Sequence, residues 1–267
     1  MHPKNGIMPF ILKKPWDIIF ITLFAFLITL NSNAQNIDSA NKVYHFSGNA
    51  LITNNGISFI PTFSLGKPAT IITLSMGDKR LSFDPEFRFS LEGKPWAILL
   101  WGRYKIANND KFKFTAGTHL GLSYNYPNVI INGIPIDITQ VKRYLATELV
   151  PNYFFNKNFS VGIYYLYSHG LDIGTTNNTH FITLNTNISN VVICNDFYFN
   201  FKPQIYYLKM DHQDGYFTSA TLTLLKNHCP FSIAGIVNQK INTNIVTKDF
   251  VWNVSLNYSF NHNYTRK

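Results

Sequence analysis

The fold is decided by the stretch Val251-Trp252-Asn253-Val254-Ser255-Leu256-Asn257-Tyr258-Ser259-Phe260 near the end of the chain. Every second residue is apolar, so a β-strand here presents one apolar face and one face of Asn and Ser. The solvent face of a soluble β-sandwich would carry charged residues, whereas uncharged polar residues are typical of a wet barrel interior. The stretch therefore predicts a strand with one side toward lipid and the other toward a polar lumen.

The same alternation recurs along the chain, over 81–92, 111–125, 159–168 and 196–207. Clusters of Gly, Pro, Asn and Asp separate these stretches and predict about twelve strands, with a range of roughly 10 to 14. The predicted strands are 57–65, 68–76, 80–92, 95–106, 111–125, 139–155, 158–169, 178–190, 195–209, 214–226, 230–241 and 249–262.

The connections after the fourth predicted strand alternate in length. Those at 126–138, 170–177 and 242–248 are long, and those at 156–157, 191–194 and 227–229 are short. Long loops at one end and short turns at the other are typical of outer-membrane barrels, and an even strand number returns both termini to the periplasm. The fold class predicted is an all-β, transmembrane, antiparallel up-and-down β-barrel. The stretch 44–53 also alternates, so it is either a periplasmic extension or an extra strand.

Composition agrees with a membrane barrel. Charged residues make up 14% of the chain, against about 25% in soluble domains, while hydrophobic residues make up 46% and aromatic residues 16%. The only long apolar run lies near the N-terminus, so the rest of the chain is not a helical membrane protein. The net charge is +9, but the basic residues are scattered, which argues against nucleic acid as a partner and favours anionic lipid head groups or anionic solutes.

The N-terminus has the three parts of a secretory signal peptide. Lys13 and Lys14 precede an apolar stretch at 18–30, and small residues follow at Ser32 and Ala34. We predict cleavage after Ala34 and export, with an uncleaved anchor helix as the alternative. The chain then divides into a signal peptide (1–34), a periplasmic extension or extra strand (35–56), the barrel (57–262) and a tail (263–267).

Residues 44–262 resemble the outer-membrane β-barrel proteins of Gram-negative bacteria. Those proteins end in an insertion signal, polar-x-Gly-x-x-aromatic-x-aromatic, which Asn253, Tyr258 and Phe260 match, with Ser255 in place of Gly and a tail after Phe260. Two further blocks, 63–69 and 84–96, are similar to uncharacterised barrels of this class. The resemblance implies an outer-membrane location, with outer-membrane lipid, lipopolysaccharide and the barrel-assembly machinery as partners. It implies no activity.

Charged residues on the predicted inner faces form the strongest chemical feature. A hairpin turn at Gly93-Lys94 places Asp84 opposite Arg103, with Glu86 diagonal to it and Arg88 near Lys105. This cluster is either an ion-pair network that fixes the shape of the lumen or a constriction that selects solutes by charge. The predicted lumen cluster comprises Asp84, Glu86, Arg88, Arg103, Lys105, Lys113, Glu148 and Lys202.

Catalytic and cofactor motifs are weak. Leu171 stands where outer-membrane lipid hydrolases carry a Ser two residues after a His such as His169, and neither His119 nor His180 has a recognisable partner spacing. The sequence has no phosphate loop and no Cys/His metal motif. We therefore expect no catalytic residues, metal or cofactor.

The two cysteines, Cys194 and Cys229, fall in turns at the predicted periplasmic rim. That compartment permits disulfides, so we consider a bridge between them, although adjacent hairpins lie about 10 Å apart.

Three functions remain open. The first is a small passive channel, or a barrel with a polar and partly occluded lumen that passes a small solute. The second is a structural or interaction barrel whose long loops bind an extracellular partner. The third is a lipid-active outer-membrane hydrolase.

Overall fold

The protein is a closed antiparallel barrel of twelve strands, which confirms the predicted fold class. The structure, a computed structural model, describes residues 43–131 and 134–265, so the predicted signal peptide and the last residues of the tail lie outside the described residues. In chain order the strands are β1 (Val43–Thr53), β2 (Ala69–Gly77), β3 (Leu81–Ser90), β4 (Pro95–Asn108), β5 (Phe112–Asn125), β6 (Asn128–Ile131), β7 (Ile134–Asp137), β8 (Gln140–Asn156), β9 (Phe159–Gly170), β10 (Asn178–Cys194), β11 (Phe197–Met210), β12 (Gln213–Lys226), β13 (Phe231–Thr243) and β14 (Phe250–Thr265). All except β6 and β7, which form a separate hairpin between β5 and β8, belong to the barrel.

The barrel closes through β1. This strand pairs with β14 from Val43↔Thr265 to Thr53↔Ser255, and its other edge pairs with β2. Since every strand of the ring then has two neighbours, the ring itself has no open sheet edge. The first barrel strand therefore comes from the stretch that the sequence left as an extension or extra strand.

The predicted strand 57–65 is wrong. These residues belong to the connection 54–68 between β1 and β2, which contains a single 3₁₀ turn at Pro61–Phe63. Pro61 lacks the N–H that a barrel strand donates to its neighbour, so it suits the first residue of this turn better than the middle of a strand. The apolar residues that imitate a strand pattern pack inside the barrel instead, and we call residues 54–68 the inward loop.

Connections at the two ends of the barrel differ, as the sequence predicted. The inward loop, the β6–β7 hairpin and the loops 171–177 and 244–249 lie at one end, which we call the loop end. The other end has only short turns and both termini of the barrel, and we call it the turn end. One predicted turn, 191–194, is wrong, because β10 continues through it with two bulges and turns at Asn195, which has a positive φ.

Loop 171–177 is fixed to the barrel by an ion pair. The Asp172 carboxylate accepts hydrogen bonds from the guanidinium group and the backbone N–H of Arg143 on β8, the shortest at 2.6 Å. These bonds lower the pKa of the Asp172 carboxyl below its usual value. The Lys142 ammonium donates to the Gly174 carbonyl at 2.8 Å on the same loop.

The two faces of each strand have the predicted chemistry. On β14, Leu256 is 52% exposed on the outside, whereas Asn257 beside it points inward and is 8% exposed. Aromatic side chains are concentrated on the outer surface near the turn end and again near the loop end, as in the girdles of membrane barrels. They include Phe112, Tyr153, Phe155, Phe197, Phe231 and Tyr258 near the turns and Tyr165, Tyr167, Tyr207, Tyr216 and Trp252 near the loops. None of the helical segments in the described residues is long and apolar enough to cross a membrane.

Candidate functional site

The lumen is divided into two chemically different halves. Toward the turn end its wall is made of uncharged polar side chains and a few lysines, many of them hydrogen-bonded to one another. The Asn257 amide donates to the Ser255 hydroxyl at 3.4 Å, and the Ser259 hydroxyl donates to the Asn49 amide oxygen at 3.0 Å. This half matches the polar inner face that the sequence predicted.

Toward the loop end the lumen holds a hydrophobic core instead. Neighbouring strands carry Tyr164, Phe181, Tyr206 and Phe217 on their inner faces, with ring centroids 5.0 to 5.9 Å apart from one strand to the next. Aromatic rings in such contact are stabilised beyond the area that they bury. These four rings form what we call the aromatic row, which lines the wall from β9 to β12.

The inward loop packs onto the aromatic row. The ring of Phe59 stacks on that of Phe181 at 6.3 Å and meets the edge of Tyr206 at 5.7 Å, and Ile60 joins the same core. On the opposite wall, the Trp96 indole N–H donates to the Phe63 carbonyl at 3.0 Å. The loop is thus held at its middle by contacts with both sides of the barrel.

The two ends of the inward loop are also anchored. The Asn253 amide on β14 donates to the Asn55 carbonyl at 3.0 Å, and the backbone N–H of Gly56 donates to the Lys67 carbonyl at 2.9 Å. Gly56 is buried, and a Cβ there would lie 3.0 Å from the Trp96 ring. The loop therefore has a defined inward conformation.

A cavity of about 480 Å³ lies between the inward loop and the wall. That volume is within the range of small-molecule sites. Its apolar lining comes from the loop and from inner-face residues such as Leu99, Trp101 and Leu166, and its charged lining is Glu86, Arg88 and Arg103. The cavity combines large apolar walls with a few charged groups, which is the usual chemistry of a binding site.

An ion-pair network centred on Arg103 borders the cavity. The Arg103 guanidinium donates to Glu148 at 2.6 Å and to Asp84 at 2.9 Å, and it lies 4.4 Å from the centre of the Trp101 ring. The Tyr164 hydroxyl donates to Glu148 at 2.9 Å. Because the carboxylate side chains of Glu148 and Asp84 are only 2% and 9% exposed, the guanidinium must compensate their charge inside the barrel.

Gly117 makes this network possible. Arg103, Gly117 and Glu148 lie side by side on β4, β5 and β8, so Arg103 must reach across β5 to meet Glu148. A Cβ on Gly117 would lie 2.8 Å from the Glu148 carboxylate and 3.1 Å from the Arg103 side chain. The absence of a side chain at this position leaves the space in which the ion pair forms.

We expect Gly117→Ala to destabilise the barrel by about 1–3 kcal/mol, the usual cost of overpacking a filled interior. Gly102→Ala is the matched control, because a Cβ there would meet only one atom, at 4.0 Å, on the neighbouring strand. Urea unfolding in lipid or detergent measures both. Equal stability of the two variants would contradict this role of Gly117.

The predicted charge cluster is only partly assembled. The register of β3 and β4 differs by two residues from the predicted one, so Asp84 lies opposite Trp101 and Ser82 lies opposite Arg103. Asp84 and Arg103 are diagonal neighbours on the two strands, and their side chains still reach each other to form the ion pair. The predicted proximity of Arg88 and Lys105 is wrong, because Arg88 lies opposite Ala97 near the loop end while Lys105 lies toward the turn end.

Glu86 and Arg88 form a second ion pair on the inner face of β3, in which the Arg88 Nε donates to the Glu86 carboxylate. The Arg88 guanidinium also lies 5.1 Å from the centre of the Trp96 ring. In the described part of the chain no ion pair joins Lys105, Lys113 or Lys202 to either group. Lys113 instead places its ammonium 4.7 Å from the centre of the Phe154 ring.

The remaining predicted positions are dispersed. Cys194 and Cys229 are free and exposed, so the bridge considered from the sequence is not formed. They lie at the β10–β11 and β12–β13 turns, which two strand spacings of about 4.8 Å separate, and a disulfide needs closer α-carbons.

The insertion-signal residues lie on β14. Asn253 points into the lumen and Tyr258 points outward, and the Phe260 ring lies beside those of Tyr258 and Phe46.

The histidines have structural neighbours. His119 packs on Trp101 with ring centroids 4.1 Å apart, inside the lumen. His180 lies against Tyr165 and Tyr167, with its Nδ1 at 3.0 Å from the Tyr165 hydroxyl. His169 is exposed at the loop end of β9.

The hydrophobic core inside the lumen is what sequence reasoning missed. The signal was present on the polar faces, since Tyr164, Leu166, Tyr206 and Leu208 interrupt the Asn and Ser of their strands. Two such interruptions on β9 and two on β11, all near the loop end, indicate an apolar layer across the lumen. The apolar residues of 57–65 then have a place to pack.

No family model and no curated protein matches the chain. Solved structures do. The KdgM porin in complex with disordered oligogalacturonate matches with a TM-score of 0.50 at 11% identity, covering 81% of this chain and 99% of that chain. The KdgM porin alone matches with a TM-score of 0.50 at 12% identity, covering 80% of this chain and 99% of that chain.

The chain has a porin-like barrel fold. A NanC porin structure also matches, with a TM-score of 0.47 at 12% identity, covering 80% of this chain and 97% of that chain. At identities this low the likeness concerns the fold and carries no substrate with it.

Proposed function

We propose that this protein is an outer-membrane channel of narrow bore, whose lumen the inward loop occludes at the loop end. The division of the lumen carries the proposal: a polar, water-compatible half leads to a cavity, and the inward loop packed on the aromatic row covers that cavity. A barrel that served only as a rigid scaffold would not require a polar half of the lumen that is compatible with water. The apolar outer belt, the porin-like fold and the predicted signal peptide support the membrane location.

The charged side chains inside the lumen affect which solutes the channel can accept. The KdgM porin structure contains oligogalacturonate, but here both guanidinium groups that line the cavity are already paired with carboxylates. The two paired guanidinium groups therefore do not favour a polyanionic substrate at the cavity. The lysines toward the turn end, which include Lys113 and Lys202, make that entrance positive and therefore accessible to small anions as well as to neutral solutes.

Conductance of the purified, refolded protein in planar lipid bilayers tests the proposal. A narrow channel gives discrete current steps, smaller than those expected from an unobstructed barrel of twelve strands. A sealed barrel that only binds partners gives no steps at any voltage that the bilayer tolerates, and that result would contradict the proposal.

A binding role for the long loops is the second candidate. Ile173 and Val246 are 101% and 89% exposed in loops 171–177 and 244–249, and Ile130 on the β6–β7 hairpin is 75% exposed. These three exposed apolar side chains, on three connections at the same end of the barrel, are the observation that favours a contact with another molecule. Removing the hairpin separates the two candidates, since it affects the adhesion or capture of a partner and leaves conductance unchanged.

A further inference from the structure

The cavity below the inward loop presents charges of both signs beside an apolar wall. Glu86 and Arg88 line it, with 20% and 18% of their side-chain surface accessible, and Arg103 lines it as well. Phe59, Leu99 and Trp101 form part of the apolar wall. A ligand that fills this space has to satisfy both kinds of surface.

The balance of charge argues against a simple anion. Arg103 is bound by two carboxylates, so it has little attraction left for a third. Counting Asp84, Glu86 and Glu148 against Arg88 and Arg103 leaves the whole cluster one negative charge in excess. A carboxylate ligand without a compensating positive charge would therefore be repelled.

The Glu86–Arg88 pair is the part of the cluster that remains open to a ligand. The pair uses the Arg88 Nε, and among the described residues no group accepts a hydrogen bond from the two Nη atoms. The N–H groups of a guanidinium are arranged in a plane that fits a carboxylate, so the two Nη atoms of Arg88 can donate to a carboxylate of a ligand. Glu86 likewise keeps acceptor capacity for an ammonium group, since the only other hydrogen bond that it accepts among the described residues is a long one from the Thr73 hydroxyl, at 3.5 Å.

An unpartnered polar atom lies at the same cavity. His119 lines it and is 8% exposed, and its Nδ1 has no hydrogen-bond partner. A buried polar atom of this kind costs free energy unless a ligand or water satisfies it. This observation is independent of the charges, and it adds a hydrogen-bonding group to the polar lining of the cavity.

We propose that the cavity binds a zwitterionic amino acid with an apolar or aromatic side chain. Its carboxylate pairs with Arg88, its ammonium group pairs with Glu86, and its side chain packs against Phe59 and Trp101. The inference rests on the proposed channel function only in that the solute reaches the cavity through the polar half of the lumen.

Calorimetric titration of the refolded protein with three probes tests the inference. L-phenylalanine carries both charges, 3-phenylpropionate lacks the ammonium group, and 2-phenylethylamine lacks the carboxylate. We expect saturable binding of L-phenylalanine, and binding at least about tenfold weaker for each analogue, because one charge-assisted contact is lost. Equal binding of the three, or tighter binding of 3-phenylpropionate, would overturn the proposal.

Two variants locate the site. Arg88→Gln and Glu86→Gln should each weaken L-phenylalanine binding about tenfold, whereas Arg80→Gln, in an exposed turn, should not change it. The comparison of probes on the natural sequence needs no variant, so it decides the matter even if a substitution prevents folding. Binding of L-phenylalanine without conductance would contradict the channel function and support the binding site. Conductance without L-phenylalanine binding would support the channel function and contradict the binding site.

Discussion

Replacing residues 58–64 with a Gly/Ser linker of equal length should raise the single-channel conductance several-fold. The linker removes Phe59 and Ile60, which hold the inward loop on the aromatic row, and the Phe63 ring, which packs edge-on against Tyr144. Without these contacts the ordering of the loop is no longer offset by burial of its apolar side chains. The loop then leaves the lumen for part of the time, and the path for ions widens.

The matched control removes an equally prominent connection at the same end. Replacing 128–137, the β6–β7 hairpin, with a short linker deletes its exposed apolar residues, but the hairpin forms a separate sheet. Its removal should leave the conductance at the level of the natural sequence. An unchanged conductance in the 58–64 variant, with the barrel still folded, would show that the inward loop does not limit the channel.

Arg103→Met should destabilise the folded barrel by roughly 3–5 kcal/mol, the loss expected when one partner of a buried ion pair is removed. The substitution leaves Asp84 and Glu148 without their shared cation, and their carboxylate side chains are 9% and 2% exposed. Denaturant unfolding followed by the shift in electrophoretic mobility of the folded barrel measures the loss.

A compensated variant separates charge from packing. Adding Asp84→Asn and Glu148→Gln to Arg103→Met removes the uncompensated charges, and most of the lost stability should return. A second control, Lys67→Met, breaks the exposed pair between Lys67 and Glu92 and should cause little change, because exposed pairs contribute little. If the triple variant were as unstable as Arg103→Met, charge compensation would not be the role of Arg103.

Alternation on single strands is what made most of this fold predictable. In a membrane barrel every second residue of each strand faces lipid and must be apolar. This alternation can be recognised within the sequence of a single strand, as in Trp252, Val254 and Leu256. Turn positions are also local, since Gly, Asn and Asp favour the backbone conformations that turns require. Face assignments and the contrast between loop and turn ends therefore followed from the sequence.

Features that depend on packing across the lumen were not predictable in this way. The stretches 44–53 and 57–65 both alternate. Pro61 is the one local argument against a strand at 57–65, and the packing of Phe59 and Ile60 on the aromatic row, which places that stretch inside the lumen, involves residues distant in the sequence. A β-bulge between Arg88 and Phe89, near the Gly93 turn, shifts the register of β3 and β4 by one residue, and local pattern does not fix that register. A shift of two residues keeps each face unchanged, so no alternation pattern could reveal it.

Thiol labelling at Phe59 tests the central claim most directly. In a background with Cys194→Ser and Cys229→Ser, Phe59→Cys places a single thiol on the inward loop, and Ile173→Cys places one on a fully exposed loop at the same end of the barrel. With a polymer-linked maleimide too wide to enter the lumen, the account predicts rapid labelling at 173 and protection at 59 until the protein is unfolded. Labelling of both positions at the same rate in the folded protein would show that residues 54–68 lie outside the barrel, and the occluded channel would have to be abandoned.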